Sequence, residues 1–188
     1  MESKIVYFER PGNSNTEEAL KLAAERAAVG DLSKALVAST GGDTGLAALN
    51  FIDNMEVIVV THSYGFKAPN VMELTPENRE AIEGRGGKIL TCQHALGGIG
   101  RAVRKKWGTY ELEEIIAHSL RLFGEGTKVC VEMAMMAADA GLVDYAENVL
   151  AIAGTGRGAD TVLVLKAANA QYFFDLRIQE IICKPRFP

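Results

Sequence analysis

Two apolar runs, "NVLAIA" and "TVLVLK", are separated by only the short stretch "GTGRGAD" (Gly154–Asp160). Parallel strands need a crossover of a dozen residues or more, so this connection joins antiparallel neighbours. Most of the earlier β-rich runs are separated by helical sequence instead. "KIVYF" (Lys4–Phe8) precedes a helix starting in "NSNTEEAL", with Ser14 or Asn15 as cap, Glu17 and Glu18 in the first turn, and Gly30 as stop. "KALVAS" precedes "TGLAALNFID", and "EVIVVTH" precedes "LTPENREAIEGRGG". That last helix takes Thr75 as N-cap, Pro76 at its first position and Gly84 as stop.

The run "KILTC" is followed by a glycine-broken basic segment, "QHALGGIGRAVRKKWG". "TYELEEIIAHSLRLFG" then reads as an amphipathic helix with Leu112, Ile115, Ile116, Ser119, Leu120 and Phe123 on one stripe, and His118 packing beside them. "TKVCVEMAMMAADAGL" is apolar around much of its circumference and so is a buried helix, its Met133, Met135 and Met136 serving core or subunit interface. The tail "QYFFDLRIQEIICKP" reads as one or two more strands.

Strands alternating with helices predict a three-layer α/β/α domain spanning residues 1–188, with a mixed, mainly parallel sheet whose last hairpin strand is reversed. A length of 188 residues with 48% hydrophobic and 23% charged residues suits one soluble core. The net charge of −4 argues against nucleic acid as a partner. No apolar run reaches the length of a membrane span, and the charges within "MESKIVYFERPGN" are unlike a secretory signal. Cys92, Cys130 and Cys183 are odd in number and widely spread, as for buried thiols in a reducing cytoplasm.

Three glycine-rich or polar turns are candidate ligand contacts. In "STGGDTG", Ser39, Thr40 and Thr44 supply hydroxyls, while Gly41, Gly42 and Gly45 let backbone N–H groups approach an anion at a helix start. No Lys-Ser/Thr follows, so this is not a Walker loop, and the same residues also suffice as a turn and helix cap. Asp43 is compatible with an anion only if it points away. In "GTGRGADT", Gly154, Thr155, Gly156 and Gly158 form a second turn, and Arg157 can pair with a phosphate; a surface hairpin uses the same composition. In "PGNSNTEE", Asn15 and Thr16 either touch a ligand or cap a helix.

"THSYGF" places His62, Tyr64, Gly65 and Phe66 after a strand, either as a ligand-facing loop or as a plain one. No G-x-S-x-G elbow accompanies Ser63. Cys92 and His94 in "TCQH" have poor zinc spacing and no second pair, so no metal is expected. "GGIGRA" lacks the third glycine of a dinucleotide fingerprint.

"ALVASTGGDTGLAALN…EVIVVTH" and "AIAGTGRGADTVLVL" resemble the C-terminal α/β domain of pyruvate kinase, and the chain looks like a small, mostly archaeal group carrying that domain alone. The resemblance implies a five-stranded core in order 3-2-1-4-5 with strand 5 antiparallel, here with extra N- and C-terminal strands. It sets the strand before Ser39 beside the strand before Gly154, at a topological switch point. It also implies that Ser39, Thr40, Gly42 and Thr44 bind a phosphate, as the matching loop does for a sugar-bisphosphate activator. Gly41 and Asp43 depart from that pattern, and the second turn is shorter. No counterpart of the catalytic barrel is present, so kinase activity is not expected.

The expected function is therefore binding of a phosphorylated small molecule. Flavin mononucleotide (FMN) is the leading ligand, with His62, Tyr64, Phe66 and His94 against its ring. The alternatives are an enzyme (a flavin-dependent reductase or a sugar-phosphate-handling enzyme, with His62 or His94 as acid/base) or an oligomerisation and regulatory module. Self-association is expected in each case.

Overall fold

The computed structural model describes residues 3–187. Met1 and Glu2, which open the segment read against a secretory signal, and Pro188 at the far end lie outside the described residues. The seven strands are β1 (Val6–Phe8), β2 (Lys34–Ala38), β3 (Glu56–Val60), β4 (Lys88–Leu90), β5 (Asn148–Ala153), β6 (Thr161–Lys166) and β7 (Arg177–Pro185). The helices are α1 (Thr16–Ala27), α2 (Asp43–Ala48), α3 (Pro76–Gly84), α4 (Ile99–Trp107), α5 (Leu112–Arg121) and α6 (Glu125–Asp139).

All seven strands form one sheet in the order β1-β7-β6-β5-β2-β3-β4. Only β6 runs against the others, pairing antiparallel with both β5 and β7. This is the strand reversal that the short Gly154–Asp160 connection requires. Reading from β4 to β6 gives the 3-2-1-4-5 core order, and β7 and β1 extend it beyond β6.

Alternation along the strands buries both faces. In β5, Val149, Ala151 and Ala153 join the core under α6, while Leu150 and Ile152 join the core under α1. The first core adds Met133, Met135 and Met136 of α6 and Ala117 of α5. The second takes Ala19, Leu20 and Ala23 of α1, Ala48 of α2 and Ile82 of α3. Leu36, Ile58, Leu150, Ile152, Leu163 and Leu165 are sealed from solvent, so burial on both faces explains why these strands read as nearly continuous apolar runs.

Local corrections have physical causes. Neither Ser14 nor Asn15 caps α1 with its side chain, because Asn13–Asn15 forms a 3-10 turn and the Asn15 amide donates back to the carbonyls of Arg10 and Gly12. Thr75 does cap α3, accepting from the Asn78 amide at 3.2 Å. That helix ends at Gly84 as read, and the chain then turns through Gly86 (φ +81°), where the amides of Gly86 and Gly87 donate back to the carbonyls of Glu83 and Ile82. In the tail only Arg177–Pro185 is a strand; Ala170–Asp175, holding the "QYFF" residues, is a 3-10 segment.

The α5 stripe is also only half buried. Ile116 and Leu120 pack on the core, whereas Leu112, Ile115 and Phe123 face solvent. His118 is exposed and meets Tyr110 edge-on at 5.4 Å. The inward positions are Ala117 and Glu114, the latter tolerated because Arg104 of α4 reaches it at 3.2 Å.

Candidate functional site

The strands β2 and β5 are paired, and their carboxyl ends release the two glycine loops side by side. The winding reverses here, since β3 and β4 lie to one side of the pair and β6 to the other. Open α/β sheets leave a crevice at such a point. In this protein it is a cavity of about 1150 Å³.

Its first wall is the Ser39–Gly45 loop. The Ser39 hydroxyl is buried and accepts the Gly45 amide at 3.1 Å, so it braces the loop from within. Gly42 has φ +103°, and a Cβ there would lie 2.5 Å from the Asn78 Cβ. A Cβ on Gly45 would lie 2.7 Å from Val59, so this glycine lets the loop pack on β3. Among the described residues, the amides of Thr40, Gly41, Gly42, Asp43 and Thr44 donate to no protein acceptor. Asp43 accepts from the Asn78 side-chain amide at 3.2 Å, yet it stays among the residues lining the cavity and so does not leave it as an anion site asks.

The opposite wall is the Gly154–Gly158 turn. Its organiser is Asp160, fully buried, which accepts the amides of Gly12 (2.8 Å) and Thr155 (3.0 Å) and the Thr161 hydroxyl (2.7 Å). The Thr16 hydroxyl accepts the Ala159 amide at 3.0 Å and donates to Asn13, pinning the turn to the start of α1. Arg157 is exposed at the cavity mouth and has no acidic partner among the described residues.

The third wall carries rings. His62 follows β3, and its Nδ1 meets Glu73 at 2.8 Å while its Nε2 lies 3.5 Å from the Thr40 hydroxyl. Phe66 has its ring centroid 4.0 Å from that of His62 and 4.9 Å from that of His94, and the Arg101 guanidinium sits 4.5 Å from the Phe66 centroid. The Nδ1 of His94 is 3.5 Å from Glu132, and its Nε2 is buried with no partner in the protein.

The floor is α6. Lys128 and Glu132, one turn apart and nearly sealed, pair at 2.5 Å, and Glu132 also accepts the Leu96 amide at 2.9 Å. Burial works against the Glu132 charge, but the bond from His94 and the Lys128 ammonium outweigh it and hold this carboxyl at about 2.

Of the residues singled out from sequence, Thr16, Ser39, Thr40, Gly41, Thr44, His62, Phe66, His94, Gly154, Gly156, Arg157 and Gly158 line this one cavity. Asn15, Gly42, Gly45, Tyr64, Gly65 and Thr155 do not line it. Gly42, Gly45 and Thr155 shape the walls, Asn15 serves its own turn, and Tyr64 points to solvent. Lys128 and Glu132 line the cavity unforeseen, and Arg101 brings to it a cation from the basic "RAVRKKWG" run. The available signal was a lysine and a glutamate four apart in an otherwise apolar helix, a spacing that buries them as a pair. Among the described residues no three His, Cys, Asp or Glu side chains gather as metal ligands, and no helix is long and apolar enough to cross a membrane. Cys130 and Cys183 are buried and Cys92 partly so; burial pushes the Cys183 thiol up to about 12.

The chain is similar in structure to pyruvate kinase of Cryptosporidium parvum. One crystal structure matches at 14% identity over 81% of this chain, with a TM-score of 0.43. Another, of that enzyme in complex with ADP, matches at 15% identity over 90% of this chain, with a TM-score of 0.41. The chain spans 23–24% of the length of those enzymes. The family model for the pyruvate kinase alpha/beta domain matches residues 17–165, from the start of α1 to the end of β6, and the chain belongs to that family.

Proposed function

We propose that this protein binds a phosphorylated small molecule at the switch point between β2 and β5, with FMN as its leading ligand. The observation that carries the proposal is the loop whose amides from Thr40 to Thr44 are unused within the protein, and whose Thr40, Gly41, Asp43 and Thr44 line a cavity that Arg157 lines from the other side. Oriented backbone N–H groups with a free guanidinium form a favourable setting for a phosphate. His62, Phe66 and His94 cluster in the same cavity, so an aromatic ring fits beside the two imidazoles, which suits a flat heteroaromatic group. Native purification followed by absorbance, and thermal unfolding with FMN, riboflavin and inorganic phosphate, tests this. FMN at a hundred times its Kd should add about 2.7 kcal/mol of stability, with riboflavin weaker. Absence of flavin absorbance and of any shift with FMN or phosphate overturns it.

A second reading, catalysis, is favoured by one feature. His62 and His94 each hold a carboxylate on Nδ1, an arrangement that fixes the imidazole tautomer and leaves Nε2 for proton transfer. A turnover that survives loss of both histidines would remove this reading.

A further inference from the structure

Phe66, His62 and His94 form a cluster of three rings in the cavity, with the two histidine centroids 5.3 Å apart. Phe66 lies against His62 and His94, with centroids 4.0 and 4.9 Å away, and Arg101 stands over its face. Yet it is not anchored by the fold around it. The segment that carries it turns at Gly65 (φ +81°) and Asn70 (φ +60°). Its backbone bonds, Phe66 to Ser63, Gly65 to Val71 and Val71 to Ala68, all stay within the loop itself. Such a loop swings without breaking the sheet or a helix. Phe66 also leaves one demand unmet, since a phenyl ring cannot hydrogen-bond and the buried His94 Nε2 has no partner.

We propose that Phe66 occupies the ligand's ring position as a stand-in, and that a flat heteroaromatic ring with an N–H donor displaces it from its place beside His62 and His94 and under Arg101. This deepens the reading above and rests on the same cavity, but it concerns the ring and not the phosphate. The Glu132 carboxylate at Nδ1 favours the proton on that nitrogen, so neutral His94 offers Nε2 as an acceptor. Arg101 supplies a cation over a π-face whichever ring is present. A ligand must therefore compete with Phe66, and the free protein is partly self-blocked.

The displacement has a consequence opposite to that of simple stacking. If Phe66 packs on a bound ring, Phe66→Ala weakens binding; if it must leave, the same change strengthens it. The probe is lumichrome, a flavin-like ring without phosphate, measured by fluorescence titration alongside FMN. We expect Phe66→Ala to bind lumichrome at least fivefold tighter than the unaltered protein, and His94→Leu added to it to cancel most of that gain. Nitrogen NMR of the free protein should find His94 protonated on Nδ1 and bare on Nε2. Weaker lumichrome binding in Phe66→Ala, no binding to either form, or a protonated Nε2 in neutral His94 overturns the slot. Lumichrome binding as expected without any effect of FMN or inorganic phosphate leaves the slot standing and instead overturns the phosphate reading.

Discussion

At the scale of single residues, Glu132 has the clearest energetic signature. Its carboxyl titrates near 2, against a usual value of 4.5, because His94 and Lys128 outweigh the penalty of burial. A depressed folded value means the unfolded chain takes up its proton first as pH falls. The stabilisation is therefore complete above about pH 4.5 and drains away between there and about pH 2, amounting to about 3 kcal/mol. Glu132→Gln, which leaves Lys128 buried without its counter-charge, should cost about 3 kcal/mol at neutral pH. Urea unfolding of both proteins at several pH values checks this. The gap between them should narrow from pH 5 to pH 2; a gap that stays constant would mean that Glu132 is neutral in the fold. Sequence reading found Ser39, Thr40 and Arg157 because glycine-rich turns declare themselves locally. It passed over Glu132, Lys128 and Asp160, whose roles depend on partners brought in by the sheet. Asp160 gathers Gly12 from the far end of the chain, which no spacing rule encodes.

Among the elements, β7 and β1 stand apart. The family match covers residues 17–165, so β7 and β1 lie outside it, and β1 pairs only with β7. Besides its ladder with β6 and the packing of Ile181, Ile182 and Cys183 on the two cores, β7 is tied to the body by Arg26 of α1. That guanidinium grips Glu180 through two bonds of 2.8 and 2.9 Å and reaches Asp31 as well, while its own side chain is 12% exposed. Two-point charge-assisted bonds of this kind are stronger than ordinary surface pairs. Arg26→Ala should cost about 1–3 kcal/mol. Hydrogen exchange should rise first in β7 and β1 and leave β2 and β5 protected; uniform loosening would show that Arg26 does not hold this edge specifically. The main strands were legible because each is a short apolar run, and the reversal of β6 because its connection is short; their order came from the family resemblance. The orientation of α5 was not, since Leu112, Ile115 and Phe123 satisfy helical periodicity as well as Ile116 and Leu120 do. Only packing against α6, with Arg104 neutralising Glu114, selects which face turns inward.

For the whole molecule, that unspent apolar face of α5 is the feature that asks for a partner. Leu112 and Leu122 are 71% and 81% exposed, Ile115 lies between them, and Trp107 and Phe123 stand nearby, also exposed. Tyr110, Ile115, His118, Ser119 and Leu122 line a shallow hollow of about 480 Å³ on the same side. A cluster of large apolar side chains in water is uncommon in a monomer and marks a contact surface. We take a second copy of this chain as its occupant, in line with the self-association expected from sequence. Lys105 and Lys106 are exposed at the basic end of α4 and Glu111 directly precedes Leu112 of α5, so two copies can meet apolar to apolar with opposite charges at the rim. Sedimentation equilibrium should find a mass above that of one chain, and Ile115→Asp with Leu122→Asp should return it to the monomer without lowering the unfolding temperature at high dilution. Both substituted positions are exposed in the single chain, so its fold has little to lose. A monomer at every concentration before substitution removes the self-association proposal, and an oligomer that survives both aspartates moves the interface elsewhere.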